Sequence, residues 1–353
     1  MAGGDNRGSD YRGPVLDPAI AAVRLAVRRA LVPWRGSGAT VLVALSGGAD
    51  SLALAAAAAH EAAAAGVEVV TATIDHGLQD GSAEVAGRAA DAARSVGVRD
   101  ARVLRVEVGD DDGPEAAARA ARYRALTRAA REEGAAAVLL GHTLDDQAET
   151  VLLGLARGSG AGSLQGMSPH RVDDGGLAWI RPLLELRRGD TRAFCTASGL
   201  APWTDPHNAD PRFTRVRVRE RVLPVLEREL GPGIAEALAR TAEQLREDTQ
   251  AFADMIDEII EDIVEPAEAG IAVSAAALAA NPPALRHRIV RHVVASEFGA
   301  SLTRAQTLEV ARLATDWAGQ GPIDLPGCRA TRHGGLVVIA ARGARDVPSR
   351  ASA

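Results

Sequence analysis

Short apolar runs alternate with stretches of helical period through the first half of the chain. Val41 to Leu45 is an apolar run that stops at Ser46-Gly47-Gly48. From Ser51 to about Ala65 the pattern is helical, and Gly66 ends it. Val67 to Ile74 reads as the next strand, closed by Asp75-His76-Gly77. The spacing then predicts a helix near 83–95, a strand near 102–108, a helix near 115–133 and a strand at 136–140. Strands alternating with helices of this length require right-handed crossovers, so the expected fold class is α/β with a doubly wound parallel sheet. In such sheets ligands sit beyond the carboxyl ends of the strands. The Ser46, Asp75 and Gly141 segments fall there.

The second half follows a different pattern. Arg212, Arg215, Arg217, Arg219 and Arg221 crowd one short stretch against Glu220 alone. Between Glu243 and Glu268 the sign reverses, with ten carboxylates against Arg246. Ile256, Ile259, Ile260 and Ile263 recur inside that stretch at helical spacing, which predicts a long helix, acidic outside and apolar inside. It leads into a smaller, mainly helical domain. The expected organisation is a loose tail over 1–18, a nucleotide-binding catalytic domain over 19–226, a helical substrate-binding domain over 227–341 and a second tail over 342–353.

Composition narrows the chemistry. All 40 cationic side chains among the 353 residues are arginine, and lysine is absent. A Walker A loop needs a lysine on the phosphates, and a Schiff-base enzyme needs a lysine nucleophile, so both classes are excluded. Base composition of the genome is the plain cause of the bias. The formal net charge of -6 argues against a basic surface spread over the whole chain but leaves room for local patches. Cys195 and Cys328 are the only cysteines. They form no disulfide framework, zinc set or C-x-x-C motif. Without an apolar run near ~18 residues or a signal-peptide core, the expectation is a cytoplasmic protein with no membrane partner.

Two segments carry candidate chemistry. Ser46-Gly47-Gly48-Ala49-Asp50-Ser51 joins a strand to a helix. Its glycines admit close backbone approach, its amides and the helix dipole favour an anion, and its hydroxyls add donors. Asp50 offers oxygen to Mg²⁺. Gly141-His142-Thr143-Leu144-Asp145-Asp146-Gln147-Ala148-Glu149-Thr150 follows an apolar strand. Thr143 is placed to cap a helix. Asp145, Asp146 and Glu149 then share one face, suited to a metal ion or an ammonium group. His142 is a candidate proton acceptor.

The hexapeptide resembles the pyrophosphate-binding PP-loop of the ATP pyrophosphatases, which manage without a Walker lysine. With the 141–150 segment and the following Arg157-Gly158-Ser159-Gly160, the chain resembles the tRNA(Ile)-lysidine synthase family. Asp75-His76-Gly77-Leu78, Arg119 to Tyr123, Arg181-Pro182-Leu183-Leu184, Trp203 to Asn208 and Phe213-x-Arg215 extend the match over roughly 38–226. One position departs from it: Val216 stands where the family has asparagine.

The resemblance implies ATP and Mg²⁺ as cofactors. It also implies two substrates, free L-lysine and an isoleucine tRNA with a CAU anticodon. ATP would adenylate O2 of the wobble cytidine, and the lysine ε-amine would attack carbon 2 and expel AMP. The phosphates would then lie on Ser46, Gly47, Gly48, Ala49, Asp50 and Ser51, with Asp75 and His76 near the nucleotide. Asp145, Asp146 and Glu149 would serve lysine and Mg²⁺, the metal on Asp50 and Asp146. Arg122, Arg181, Arg215, Arg217 and Arg219 would bind substrate, the last three in a phosphate-contacting strip. Trp203 reads as a packing residue that positions the 205–208 loop. A homodimer is left open. Two rivals remain: a PP-loop tRNA 2-thiolase, which needs paired cysteines or an Fe–S cluster, and a tRNA-binding module without catalysis.

Overall fold

The computed structural model describes residues 16–77, 81–107, 114–158, 160–204, 210–267 and 270–342. Both expected tails lie almost wholly outside these ranges, as does the 205–208 loop. The chain divides into two compact units, Met1–Arg246 and Glu247–Ala353.

The first unit opens with α1 (Pro18–Leu31), capped by the Asp17 side chain on the Ala19 amide. A parallel core follows: β1 (Thr40–Ala44), α2 (Ala49–Ala65), β2 (Glu68–Asp75), α3 (Ser82–Ser95), β3 (Asp100–Arg105), α4 (Pro114–Glu132) and β4 (Ala135–Leu140). Next come α5 (Leu144–Ala156), the short α6 (Ala161–Leu164), β5 (His170–Val172), β6 (Ala178–Ile180) and α7 (Arg188–Ala197). The sheet order is β3-β2-β1-β4-β6-β5, and only β5 runs antiparallel. Val41, Leu42, Val43, Val138, Leu139 and Leu140 are fully buried, as strands covered by helices on both faces must be. From β1 the chain moves outward through β2 to β3, then returns to the other side of β1 as β4. The order reverses between β1 and β4, which opens a crevice at their carboxyl ends. The observed elements match the predicted rhythm, with ends shifted by at most three residues.

Packing on one sheet face is alanine-rich. Ala53, Ala55, Ala57 and Ala58 of α2 have no exposed surface, so this helix lies close between the sheet and α1. Glu61 is the charged exception on α2, 3% exposed. Arg24 Nε donates to Glu61 Oε1 at 2.7 Å, and Arg28 Nε to Oε2 at 2.8 Å. The Arg28 hydrogen bond, reinforced by Arg24 and opposed by burial, lowers the Glu61 carboxyl from 4.5 to about 2. A folded-state pKa below the unfolded one stabilises above pH 4.5, and that stability is lost as pH falls toward 2. Glu61→Gln is therefore expected to cost up to about 3 kcal/mol at pH 7. Urea unfolding of both proteins should show the gap narrowing below pH 4.5; a gap constant down to pH 3 would refute the ion-pair origin.

Three helical pieces close the unit: α8 (Thr214–Arg217), a π-helical turn (Val218–Val222) and α9 (Leu223–Leu230). Val218 and Leu223 pack on Leu144 and Ala148 of α5. Val216, the departure from the family pattern, is 7% exposed and serves packing.

The predicted acidic helix is α10 (Ile234–Ile263). In the second unit it is followed by β7 (Val264–Ala267), β8 (Gly270–Ser274), α11 (Ala275–Ala280), α12 (Pro283–Phe298) and α13 (Arg304–Thr315). β9 (Ile323–Asp324), β10 (Cys328–His333) and β11 (Leu336–Ala341) complete it. The strands form an antiparallel sheet of order β7-β8-β11-β10-β9. The helices were expected and the sheet was not. Among the described residues no helix is long and apolar enough to cross a membrane.

Candidate active site

A cavity of about 710 Å³ lies at the crevice beyond β1 and β4. The PP-loop forms its floor. Gly47 takes φ +83°, a left-handed conformation open to glycine. Ser51, in the first turn of α2, donates from Oγ to the Gly48 carbonyl at 3.0 Å and accepts from the Ser46 amide at 3.1 Å. The two hydroxyls stand 3.0 Å apart. The loop is thus pre-shaped, with Ser46, Gly48, Ala49, Asp50 and Ser51 lining the cavity. Gly141, at the exit of β4, lines the cavity beside the loop. A Cβ there would meet the Asp50 carbonyl and Ser51 Cα at 3.1 Å, so the exit of β4 and the first turn of α2 touch backbone to backbone. The Trp203 amide donates to the Gly47 carbonyl at 2.9 Å, and its ring lines the cavity.

The acidic segment forms α5 as predicted. Thr143 and Asp146 make a reciprocal capping box, with Asp146 Oδ2 accepting from the Thr143 amide at 2.8 Å. All three carboxylates hold arginine partners. Arg188 donates to Asp146 Oδ1 at 2.9 Å and Glu149 Oε1 at 3.2 Å, and its Nε stands 3.7 Å from Asp50 Oδ2. Arg219 donates to both oxygens of Glu149, at 2.7 and 3.0 Å, and Arg215 lies 3.7 Å away. Asp145 accepts from the Arg188 amide at 2.7 Å and faces Arg187 at 3.3 Å. Glu149 has no exposed surface.

Charge states follow from these contacts. Burial pushes the Asp50 carboxyl up, opposed by a hydrogen bond from Thr191 and the charge of Arg188. Burial also works against ionised Asp146, but Arg188 and the Thr143 amide outweigh it and hold the carboxyl low. Burial opposes the Arg188 charge, yet the surrounding carboxylates raise its pKa. Burial lowers His142 to about 3, against the pull of Asp146 and aided by Arg122 and Arg181. Arg181 Nε donates to His142 Nδ1 at 3.2 Å, so the ring is neutral with its proton on Nε2. The one lone pair with which the ring could accept a proton is therefore occupied by Arg181.

The remaining expected residues divide. Arg122 lines the cavity with no hydrogen bond or ion pair among the described residues. Arg181, expected to bind substrate, is 8% exposed and holds His142 and the Ser168 carbonyl instead. The arginine strip does not stand as one surface. Arg215 and Arg219 turn inward to Glu149, whereas Arg217 donates to the Pro211 and Arg212 carbonyls and ties down its own turn. Asp75 is buried, accepting from the Gly77 amide at 2.9 Å. The adjacent His76 leaves Nδ1 buried without a partner among the described residues. Neither lines the cavity.

Sequence reasoning missed Arg188, Arg192 and Thr191. One signal was available: Arg187 and Arg188 open α7, and a cation at a helix N-terminus runs against the dipole unless acidic partners hold it.

A model of the PP-loop domain matches residues 24–226, and one of the TilS substrate binding domain matches 274–337. A tRNA(Ile)-lysidine synthase from Leifsonia xyli subsp. xyli is 62% identical over 303 residues, covering 86% of this chain and 90% of that protein. The chain belongs to the tRNA(Ile)-lysidine synthase family. The tRNA(Ile)-lysidine synthase of Salinispora tropica is 49% identical, covering 94% of this chain and 99% of that one. That of Streptomyces coelicolor is 46% identical over 91% and 98%. tRNA(Ile)-lysidine synthases are ATP-dependent ligases built on a PP-loop, which fits the cavity floor described above. Among solved structures, a U34-tRNA thiolase from Methanococcus maripaludis aligns at TM-score 0.54 and 19% identity, over 65% of this chain and 79% of that one. At that identity the likeness is one of fold. The cysteines argue against thiolation: Cys195 is buried and its thiol is pushed up to about 11, and Cys328 lies buried in the other unit.

Proposed function

We propose that the protein joins free L-lysine to carbon 2 of the wobble cytidine of an isoleucine tRNA with a CAU anticodon, using ATP. One observation carries the reading: the phosphate loop borders one cavity with Asp146, a member of a carboxylate set that already holds cations. Three guanidiniums converge on Glu149 and Asp146. An alkylammonium carries the same charge and competes for the same oxygens. No lysine of the chain itself can enter, so the amine comes as free substrate.

The chemistry runs in two displacements. The cytidine O2 attacks the α-phosphorus of ATP and pyrophosphate leaves, which turns a poor leaving group into a good one. The lysine ε-amine then attacks carbon 2, and O2 departs with AMP. The PP-loop amides and the α2 dipole hold the negative oxygens of the phosphates. Arg122, lacking a carboxylate partner among the described residues, lines the same cavity and offers a further cation to that anion. Asp75 and His76 support the nucleotide side from the end of β2. The ammonium must shed a proton before attack. The carboxylates of Asp145, Asp146 and Glu149 take that part, since the lone pair of His142 Nδ1 is already engaged by Arg181.

The donor chemistry suits Mg²⁺. Among the described residues no group of three or more metal-binding side chains is arranged around one point. Mg²⁺ takes one or two carboxylates and completes its shell with phosphate oxygens and water. Asp50 and Asp146, both lining the cavity, would hold it, and it would neutralise charge on the departing pyrophosphate.

The direct test is incubation with ATP, labelled lysine and an isoleucine tRNA transcript, followed by nucleoside analysis. The expected result is lysidine at the wobble position, with AMP and pyrophosphate released in equal amounts. ATP turnover without a labelled nucleoside would sink the reading.

A further inference from the structure

The inward turn of Arg215 and Arg219 leaves open which surface meets the long phosphate backbone of a tRNA. A groove of about 490 Å³ between α4 and the edge strand β5 offers one. Arg124, Arg128 and Arg131 line it at i, i+4 and i+7, so they share one face of α4, and Arg171 faces them from β5. All four side chains are exposed.

The groove's two carboxylates offset these cations only in part. Glu132 accepts from Arg102 at 2.8 Å and stands 3.8 Å from Arg128. Asp173 accepts from the Gly175 and Leu177 amides at 3.0 Å and from Trp179 Nε1 at 3.2 Å. Arg124 and Arg171 have no hydrogen bond or ion pair among the described residues. A protein of net charge -6 has carboxylates enough to pair such a row; here Glu132 and Asp173 are shared with other donors, and among the described residues Arg124 and Arg171 are left without one. The helix also has a direction. Its first turns bring Arg119 and Arg122 to the carboxyl edge of the sheet, where Arg122 enters the catalytic cavity. Arg124, Arg128 and Arg131 lie further along α4 on the side of the helix away from Arg122, so the groove is a surface separate from the cavity.

We propose that this groove binds the sugar–phosphate backbone of the tRNA substrate outside the reacting nucleotide. Guanidiniums one helical turn apart, open to solvent and short of carboxylates, match a polyanion with regularly spaced charges. The inference rests on the tRNA reading above.

The test compares the native protein with the triple variants R124Q/R128Q/R171Q and R124E/R128E/R171E. Binding of the isoleucine tRNA transcript is measured across salt concentrations. Each lost phosphate contact lowers the slope of log affinity against log salt by about one, so the glutamine variant should lose about three. The glutamate variant should bind at least about tenfold more weakly than the glutamine variant, because it repels the same phosphates. Lysidine formation at saturating tRNA should match that of native protein in both variants. Circular dichroism and thermal unfolding verify the fold, and because the positions are exposed, both variants should melt with the native protein.

Unchanged affinity and slope in both variants overturn the proposal, including the case in which the groove receives an acidic protein. If native protein makes no lysidine yet binds tRNA with the full salt slope, the catalytic reading fails and the groove stands. If native protein makes lysidine and the variants bind normally, the groove alone fails.

Discussion

Asp50→Ala should abolish pyrophosphate release while tRNA binding survives. Asp50 sits in the first turn of α2, and its carboxylate is the point where three elements meet. Thr191 of α7 donates to it, Arg188 faces its other oxygen at 3.7 Å, and Asp146 of α5 is near enough to push its pKa upward. Removing the side chain takes away one of the two carboxylates proposed to hold Mg²⁺ at the phosphate end of the cavity. Arg188 keeps Asp146 and Glu149, so the fold should hold. The expected fall in pyrophosphate release is about 10²–10³-fold, the usual range for losing one electrostatic contributor at a transferring group. Filter binding of tRNA should shift less than about twofold, because the arginines invoked for RNA lie elsewhere. Full turnover in the variant would dismantle the phosphate-loop assignment.

Glu149→Gln tests the other end. Its carboxylate accepts two hydrogen bonds from Arg219 and one from Arg188, with no solvent exposure. If an ammonium shares this cluster, loss of one charge should raise the lysine concentration for half-maximal rate by about 10–100-fold, the worth of a charge-assisted hydrogen bond. The requirement for ATP should change less than about threefold. Equal shifts in both would mean that Glu149 acts only by holding Arg188 and Arg219. The variant also leaves buried guanidiniums short of an anion, which costs up to about 3–5 kcal/mol. Its thermal unfolding should therefore be measured alongside, and rates compared well below the new midpoint.

The phosphate loop was legible because every part of it is local. Strand, glycines, hydroxyls and helix start lie within a dozen residues, and their geometry follows from φ freedom and helix capping. The α5 carboxylates were legible for the same reason: Thr143 and Asp146 form a cap by spacing alone. Their partners were not. Arg188 meets Asp50, Asp146 and Glu149 only because α7 packs beside α2, a contact no periodicity encodes. Arg215 and Arg219, one turn apart, share a face that packs onto Glu149, a contact set by tertiary packing. A strip read as outward by composition thus points inward. In the second unit, β8 is a five-residue run ending in Ser274, and an alanine-rich helix follows directly. The alanines mask the strand. β10 alternates burial on Cys328 and Ala330, side chains too small to register as a strand face.

The backbone contact between Gly141 and the first turn of α2 has a mechanical meaning. No side chain lies between these two segments to absorb a displacement, so they move as one lever. A shift of the glycine loop is passed directly to the segment that leads into the carboxylate helix. Any coupling carried by this contact acts by the same factor in both directions.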